Sequence, residues 1–280
     1  MQQAITPRKR SSLRCTSRFY EMARPIMWQT LQRLLPRRPL RSVVEVGWLI
    51  SDRRASLIWD EPQPVRRSRE RPISAKSVQV CPAAVDFIAR HFVVCCPIDV
   101  RLRVKLEPGK PPTLENVDGP KSTIRSKALS QMVTVVNRAE WRHPDRPILQ
   151  FSTPYVFLAD DPVYINQVPP YLDFTDPAWP GVPVSGRFPI HIWPRHLMWA
   201  FEWHDTAKDL VLTRGQPWFY VCFDTYDPAN RVRLVEAEMT PGVARYIESI
   251  AGVTNYVSRT YSLFERAMKR RPKKLLVRKA

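Results

Sequence analysis

Glycine is scarce, at 8 of 280 residues, beside 28 prolines. No three glycines make G-x-G-x-x-G, none opens G-x-x-x-x-G-K-[ST], and no G-x-S-x-G occurs. Dinucleotide and P-loop sites need glycine where backbone approaches phosphate, so the sequence argues against both, and against a serine nucleophile elbow. The five cysteines are odd in number, and their spacing fits neither a disulfide framework nor a C-x-x-C zinc knuckle. Cys95 and Cys96 lie in the apolar run HFVVCCPIDV. They read as buried free thiols acting as small hydrophobes, as expected of a reducing, cytoplasmic compartment. No apolar stretch reaches the roughly 18 residues of a transmembrane helix. Internal repeats and sustained heptads are also missing.

The chain does carry positive charge, a net of +18, concentrated at its ends. Residues 1–80 hold a net of +11 and residues 266–280 a net of +8, whereas residues 81–265 come to −1. A nucleic-acid-binding domain more often shows a basic face within its folded part. The expectation is therefore of basic ends able to hold any polyanion non-specifically, with Lys269, Arg270, Arg271, Lys273 and Lys274 as the contacts. The Arg-rich N-terminus superficially resembles a transit peptide, and Met22 reads as an alternative start.

Patterning divides the chain into a basic, largely disordered extension over 1–41, a β-rich domain over 42–258, and a helix with a basic tail over 259–280. The clearest strand is 100–106, where Val100, Leu102, Val104 and Leu106 alternate with Arg101, Arg103 and Lys105. Other strands are read at 42–50, 55–59, 132–136, 148–152, 155–159, 163–168, 187–193, 198–203, 210–213, 217–223 and 232–238. Residues 42–50 and 55–59 form a candidate hairpin. Loops are expected at 107–121 and 169–186. Short helices are expected at 25–35, at 81–90 with Val85, Ile88 and Ala89 on one face, at 240–250 capped by Thr240 with Pro241 in its first turn, and at 259–269. Many short strands at regular spacing predict a mainly β fold, an antiparallel sandwich or open barrel with a few short helices.

Candidate chemistry is densest in GRFPIHIWPRHLMWAFEWH, residues 186–204. His191, Glu202 and His204 are the set from which two imidazoles and a carboxylate on adjacent strands could hold a divalent metal, as in an oxygenase-like enzyme. The bland alternative puts the tryptophans in the core, and no cofactor is then needed. Asp160, Asp161, Asp173 and Asp176 lack the calcium-loop pattern and read as turn residues. Tyr171, Trp179, Trp193, Trp199 and Trp203 are the candidate binding aromatics, since Tyr and Trp are favoured at interfaces. A protein partner or homo-oligomer is the corresponding expectation.

The order CPAAVDFI…PIDV, STPYVFLADDPVYINQVPP, GRFPIHIWPRHLMWAFEW and TRGQPWFYVCFD resembles a family of uncharacterised proteins of bacteria and tailed phages, over about residues 43–250. That family carries no established activity, so no residue inherits a role. The resemblance implies a phage or prophage context. Together these observations predict a non-enzymatic binding or structural protein, with a metal-dependent enzyme and a tail-mediated nucleic-acid binder as the alternatives.

Overall fold

The computed structural model describes residues 42–52, 58–65, 74, 77, 80–173, 175–251 and 260–279. The basic extension, the helix expected at 25–35 and Met22 lie outside the described residues, as does most of the second strand of the expected hairpin.

The longest strand, β7 (Ile148–Leu158), organises the architecture. On one edge it pairs with β6 (Val133–Val135) through Leu149–Phe151 and with β1 (Val43–Ile50) through Tyr155–Leu158. On the other edge it pairs with β11 (His196–Trp203). β14 (Arg231–Glu236) and β9 (Gly181–Pro183) complete this six-stranded sheet as its outer members. β14 runs parallel to β1, so the sheet is mixed rather than purely antiparallel. A second sheet has the order β10 (Gly186–Pro189), β8 (Val163–Val168), β13 (Pro217–Thr225), β3 (His91–Cys95) and β2 (Gln63–Pro64). A third holds β12 (Leu210–Leu212), β4 (Val100–Lys105) and β5 (Thr113–Asn116). Over the described residues the fold is mainly β, its sheets curled into a half-barrel with four short helices.

Two strands expected at 148–152 and 155–159 are one. Pro154 has no N–H to give, and it sits where β11 shifts register between His196 and Met198, in the gap between the β6 and β1 pairings. On the β1 edge the return bond that a non-proline N–H would give to Ser51 is missing, and the β1 pairing ends there. The Thr153 hydroxyl donates to the Leu197 carbonyl at 2.6 Å across the irregularity, and the Ser51 N–H donates to the Pro154 carbonyl at 3.0 Å.

The alternation of β4 appears as expected: Val100, Leu102 and Val104 are buried and the three cations between them exposed. Those cations are spent on neighbouring strands and loops, Arg101 on Asp118 at 2.9 Å, Arg103 on Asp209 at 2.8 Å and Lys105 on Glu115 at 2.8 Å. β5, which supplies Glu115, lies inside the stretch expected to be a loop.

The main core fills the space between the sheets. Phe151, Tyr155 and Phe157 of β7 and Trp199, Phe201 and Trp203 of β11 face Phe92, Trp218, Val221 and Phe223 of the second sheet. Trp199 and Trp218 have ring centroids 5.1 Å apart, and Phe151 meets Trp218 edge-on at 5.5 Å.

The opposite face of the six-stranded sheet is also covered. Leu49, Val156 and Leu158 pack against a second cluster from α3 (Pro241–Ala251), α4 (Thr260–Arg270) and the chain after it. This explains why β1 and the end of β7 read as continuous apolar runs. In α3, the Val243 N–H donates to the Thr240 hydroxyl at 3.3 Å and Pro241 opens the helix, as its sequence predicts. α2 (Ser126–Met132) was not foreseen. α1 (Pro82–Ile88) forms, but it buries no residue, and Val85 lies exposed.

The expected basic tail is a folded strap. Leu275 and Leu276 are buried in the second cluster, and Gly47 lets the strap seat, because a Cβ there would lie 2.4 Å from the Leu276 side chain. The N–H groups of Leu275 and Leu276 both donate to the Asp160 carboxylate, at 2.7 and 3.3 Å. Beyond them the strap adds backbone bonds to the end of β14 and the residues after it, Lys279 N–H to the Glu236 carbonyl at 3.0 Å and Glu238 N–H to the Val277 carbonyl at 2.8 Å.

Candidate functional site

Glu202 and His204 share the outer face of the six-stranded sheet, as their spacing predicts. His204 Nε2 lies 3.1 Å from the Glu202 carboxylate. The other neighbours of Glu202 are cations. Arg142 forms a short ion pair with it, and Arg146 approaches to 3.9 Å. Glu202 is buried, at 3% exposure, so it anchors the 138–147 segment onto the sheet.

His191 is not there. Glu202 pairs with Ile148 at one end of β7, whereas His191 Nδ1 faces the N–H and carbonyl of Val163, past the other end, at 3.1 and 3.0 Å. A strand of this length separates its ends by roughly 30 Å. The proposed three-residue metal set therefore does not converge. Among the described residues no group of three or more His, Cys, Asp or Glu is placed to hold a metal ion.

β9 approaches β11 closely at Gly181, where a Cβ would lie 2.0 Å from the Glu202 carbonyl oxygen. Gly181→Ala is therefore expected to detach β9 and destabilise the fold by about 3 kcal/mol, the upper part of the usual overpacking range. Urea denaturation reads this directly, and a change below about 0.5 kcal/mol would refute the close approach.

The candidate binding aromatics divide among three places. Trp199 and Trp203 are core residues, 0% and 1% exposed, and offer no surface to a partner. Trp179 caps that core, its indole N–H donating to the Val211 carbonyl at 3.1 Å. Tyr171 lies on the outer face of the second sheet beside Phe87, His91 and Tyr220. Trp193 sits over the helices, against Phe188 and Phe264.

Burial pushes the Cys96 thiol up to about 12 and Cys222 up to about 11, which leaves both protonated and unreactive near neutral pH. His91 and His191 are shifted the other way. Burial lowers the pKa of each below the ordinary 6.5. Both are then neutral in the folded chain while the unfolded chain binds protons from about pH 6.5 downward. The stability contributed by keeping them neutral is complete above pH 6.5 and is lost as pH falls toward their folded values. Unfolding free energy should drop by up to about 1.4 kcal/mol per pH unit for each histidine. Urea midpoints that stay flat between about pH 6.5 and pH 5 would contradict this.

Of the candidate nucleic-acid contacts, Arg271 is unsuitable. It donates to the carbonyls of His191 at 2.5 Å and Asp160 at 3.0 Å, with only 14% of its side chain exposed. Lys269 and Arg270 end α4 and, like Lys273 and Lys274, are exposed. Arg278 is paired with Glu45 and Lys279 with Glu236. The Glu45 carboxyl is held below its ordinary value by hydrogen bonds from Arg278 and then Arg233.

Among the described residues, one feature with room for a ligand is a cleft of about 570 Å³ on the outer face of β7 and β11. Ser152, Thr153, Pro154 and Met198 line its floor, and Ile247, Ile250 and Ala251 of α3 one wall. Asp52, Ile58 and Trp59 line the side near the end of β1, and Trp193, Arg195 and His196 the connection into β11. The Arg195 guanidinium carbon stands 4.6 Å from the Trp193 ring centroid, a cation–π contact. Sequence reading named Trp193 but passed over Arg195. The signal was present: between Ile190 and Phe201 the sequence holds one arginine and no acid.

No protein-family model matches the chain, and no curated protein is similar to it. No described helix is long and apolar enough to cross a membrane.

Proposed function

We propose that this chain is a binding protein with no catalytic role of its own, and that its site is the cleft over β7 and β11. The observation that carries this reading is the cleft itself. Its volume falls in the range of small-molecule sites, roughly 300–1,000 Å³. Its lining is largely apolar, with a few polar groups on a strand platform held from beneath by the aromatic core. A rigid platform carrying adaptable walls suits recognition. A phage or prophage setting rests on the sequence resemblance alone.

The neutral dye Nile red tests the site. It should bind saturably at one molecule per chain with enhanced fluorescence. Met198→Trp, which puts a bulky ring on the cleft floor, should weaken binding at least tenfold while leaving the urea midpoint nearly unchanged. Dye uptake that is unsaturable, or indifferent to this change, would overturn the reading.

A further inference from the structure

A cation taken out of water needs a partner, and Arg195 has none among the described residues. It is half-buried in the cleft wall. Burial alone lowers its pKa, with no carboxylate acting to raise it. Other arginines of the fold differ in this respect, Arg103 being on Asp209, Arg142 on Glu202 and Arg271 on backbone carbonyls. The Trp193 ring offsets part of the desolvation through a cation–π contact. The guanidinium N–H groups, which recognise carboxylates in a two-pronged fashion, have no hydrogen-bond partner among the described residues. Asp52, the carboxylate of the same cleft, has an interaction of its own.

Beyond Arg195 the cleft lining turns apolar, with Met198 on the floor, Ile247 and Ile250 on the helix wall, and Met132 also among the lining residues. Ser152 and His196 add neutral hydrogen-bonding groups near the floor and rim. Methionines adapt their shape to a variable apolar body. We propose that the cleft takes a small amphipathic anion, its carboxylate held by Arg195 and its hydrocarbon body laid along the methionine and isoleucine side chains. This rests on the reading of the cleft as the binding site, and it names the class of ligand.

The test is displacement of Nile red by decanoate and, separately, by decanol at neutral pH and low ionic strength. The two share a chain and differ in the anionic head. Decanoate should displace the dye at a concentration at least tenfold lower than decanol, because a partly buried charge-assisted pair is worth that much. Arg195→Gln should erase the gap while dye binding persists, and Arg195→Lys, which keeps the charge, should retain most of it. Equal displacement by the two compounds, or a gap untouched by Arg195→Gln, would overturn the anion assignment and leave the cleft reading standing. Should Arg195→Gln lose dye binding altogether, the wild-type comparison and Arg195→Lys decide: a gap in both supports the assignment, and its loss in the lysine variant overturns it. Failure of Nile red to saturate one site in the wild type would sink the cleft reading and this inference with it.

Discussion

Trp199→Ala is expected to lower the unfolding free energy by about 4 kcal/mol, the middle of the range for removing a large aromatic from a packed core. Trp199 is fully buried and touches Phe151, Trp179, Phe201 and Trp218, with centroids between 5.1 and 5.8 Å. These rings come from both of the larger sheets and from the loop before β9, so the cavity would open where the layers are joined. A domain of this kind is stable by about 5–15 kcal/mol in all, and such a loss is a large share of it. Trp199→Phe should recover much of the deficit. The indole N–H has no hydrogen-bond partner among the described residues, so the smaller ring sacrifices volume without orphaning an acceptor. Urea denaturation of the two variants beside the wild type measures both effects. A loss below about 1 kcal/mol for the alanine variant would show that this ring is not the junction of the sheets.

Deletion of residues 271–280 is expected to be at least as damaging. Leu275 and Leu276 are 0% and 7% exposed, and burying a leucine is worth about 1.5–3 kcal/mol. The deletion also removes the Arg271 bonds to the carbonyls of His191 and Asp160, and it uncovers Leu49 and Leu158 on the back of the six-stranded sheet. A combined loss of about 5 kcal/mol would leave the chain partly unfolded at 37 °C, visible as exposed apolar surface and a broadened thermal transition. Asp160→Ala is the milder version, removing the acceptor of two strap N–H groups and costing about 1–3 kcal/mol. A shortened chain that melts like the full one would show that the strap is not part of the fold. Polyanion binding by this end is therefore better probed with Lys273→Glu and Lys274→Glu, both exposed, than by cutting the chain.

Local pattern made much of this fold legible. β4 showed its inward face through a period of two, and α3 its start through Thr240 and Pro241. The boundaries that failed did so where tertiary context altered the local rule. Pro154 reads as a strand breaker, yet its missing N–H falls where the β1 pairing ends and beside the irregularity in β11, so β7 runs through it. The eight cations of residues 266–280 read as a solvated tail, yet Leu275 and Leu276 between them weigh more once a groove exists to receive them.

The site was less legible. Spacing correctly set Glu202 and His204 on one face, because side chains alternate along any strand. It also drew in His191, only eleven residues before Glu202, although an intervening strand of eight residues carries the two to opposite ends of the sheet. Arg195 escaped notice because its significance lies in the lack of an ion-pair partner among the described residues, and sequence distance does not report that.

The sequence by itself determined the strand-rich class, most element positions and the concentration of aromatics in the core, since these follow from periodicity and turn chemistry within a few residues. The tertiary structure alone decided which charges are neutralised, which tryptophans are accessible, that the basic C-terminus is a strap, and that a cleft opens beside an arginine with no ion-pair partner among the described residues. Those properties depend on long-range strand pairing and on burial, and both are set by contacts between residues far apart in the chain.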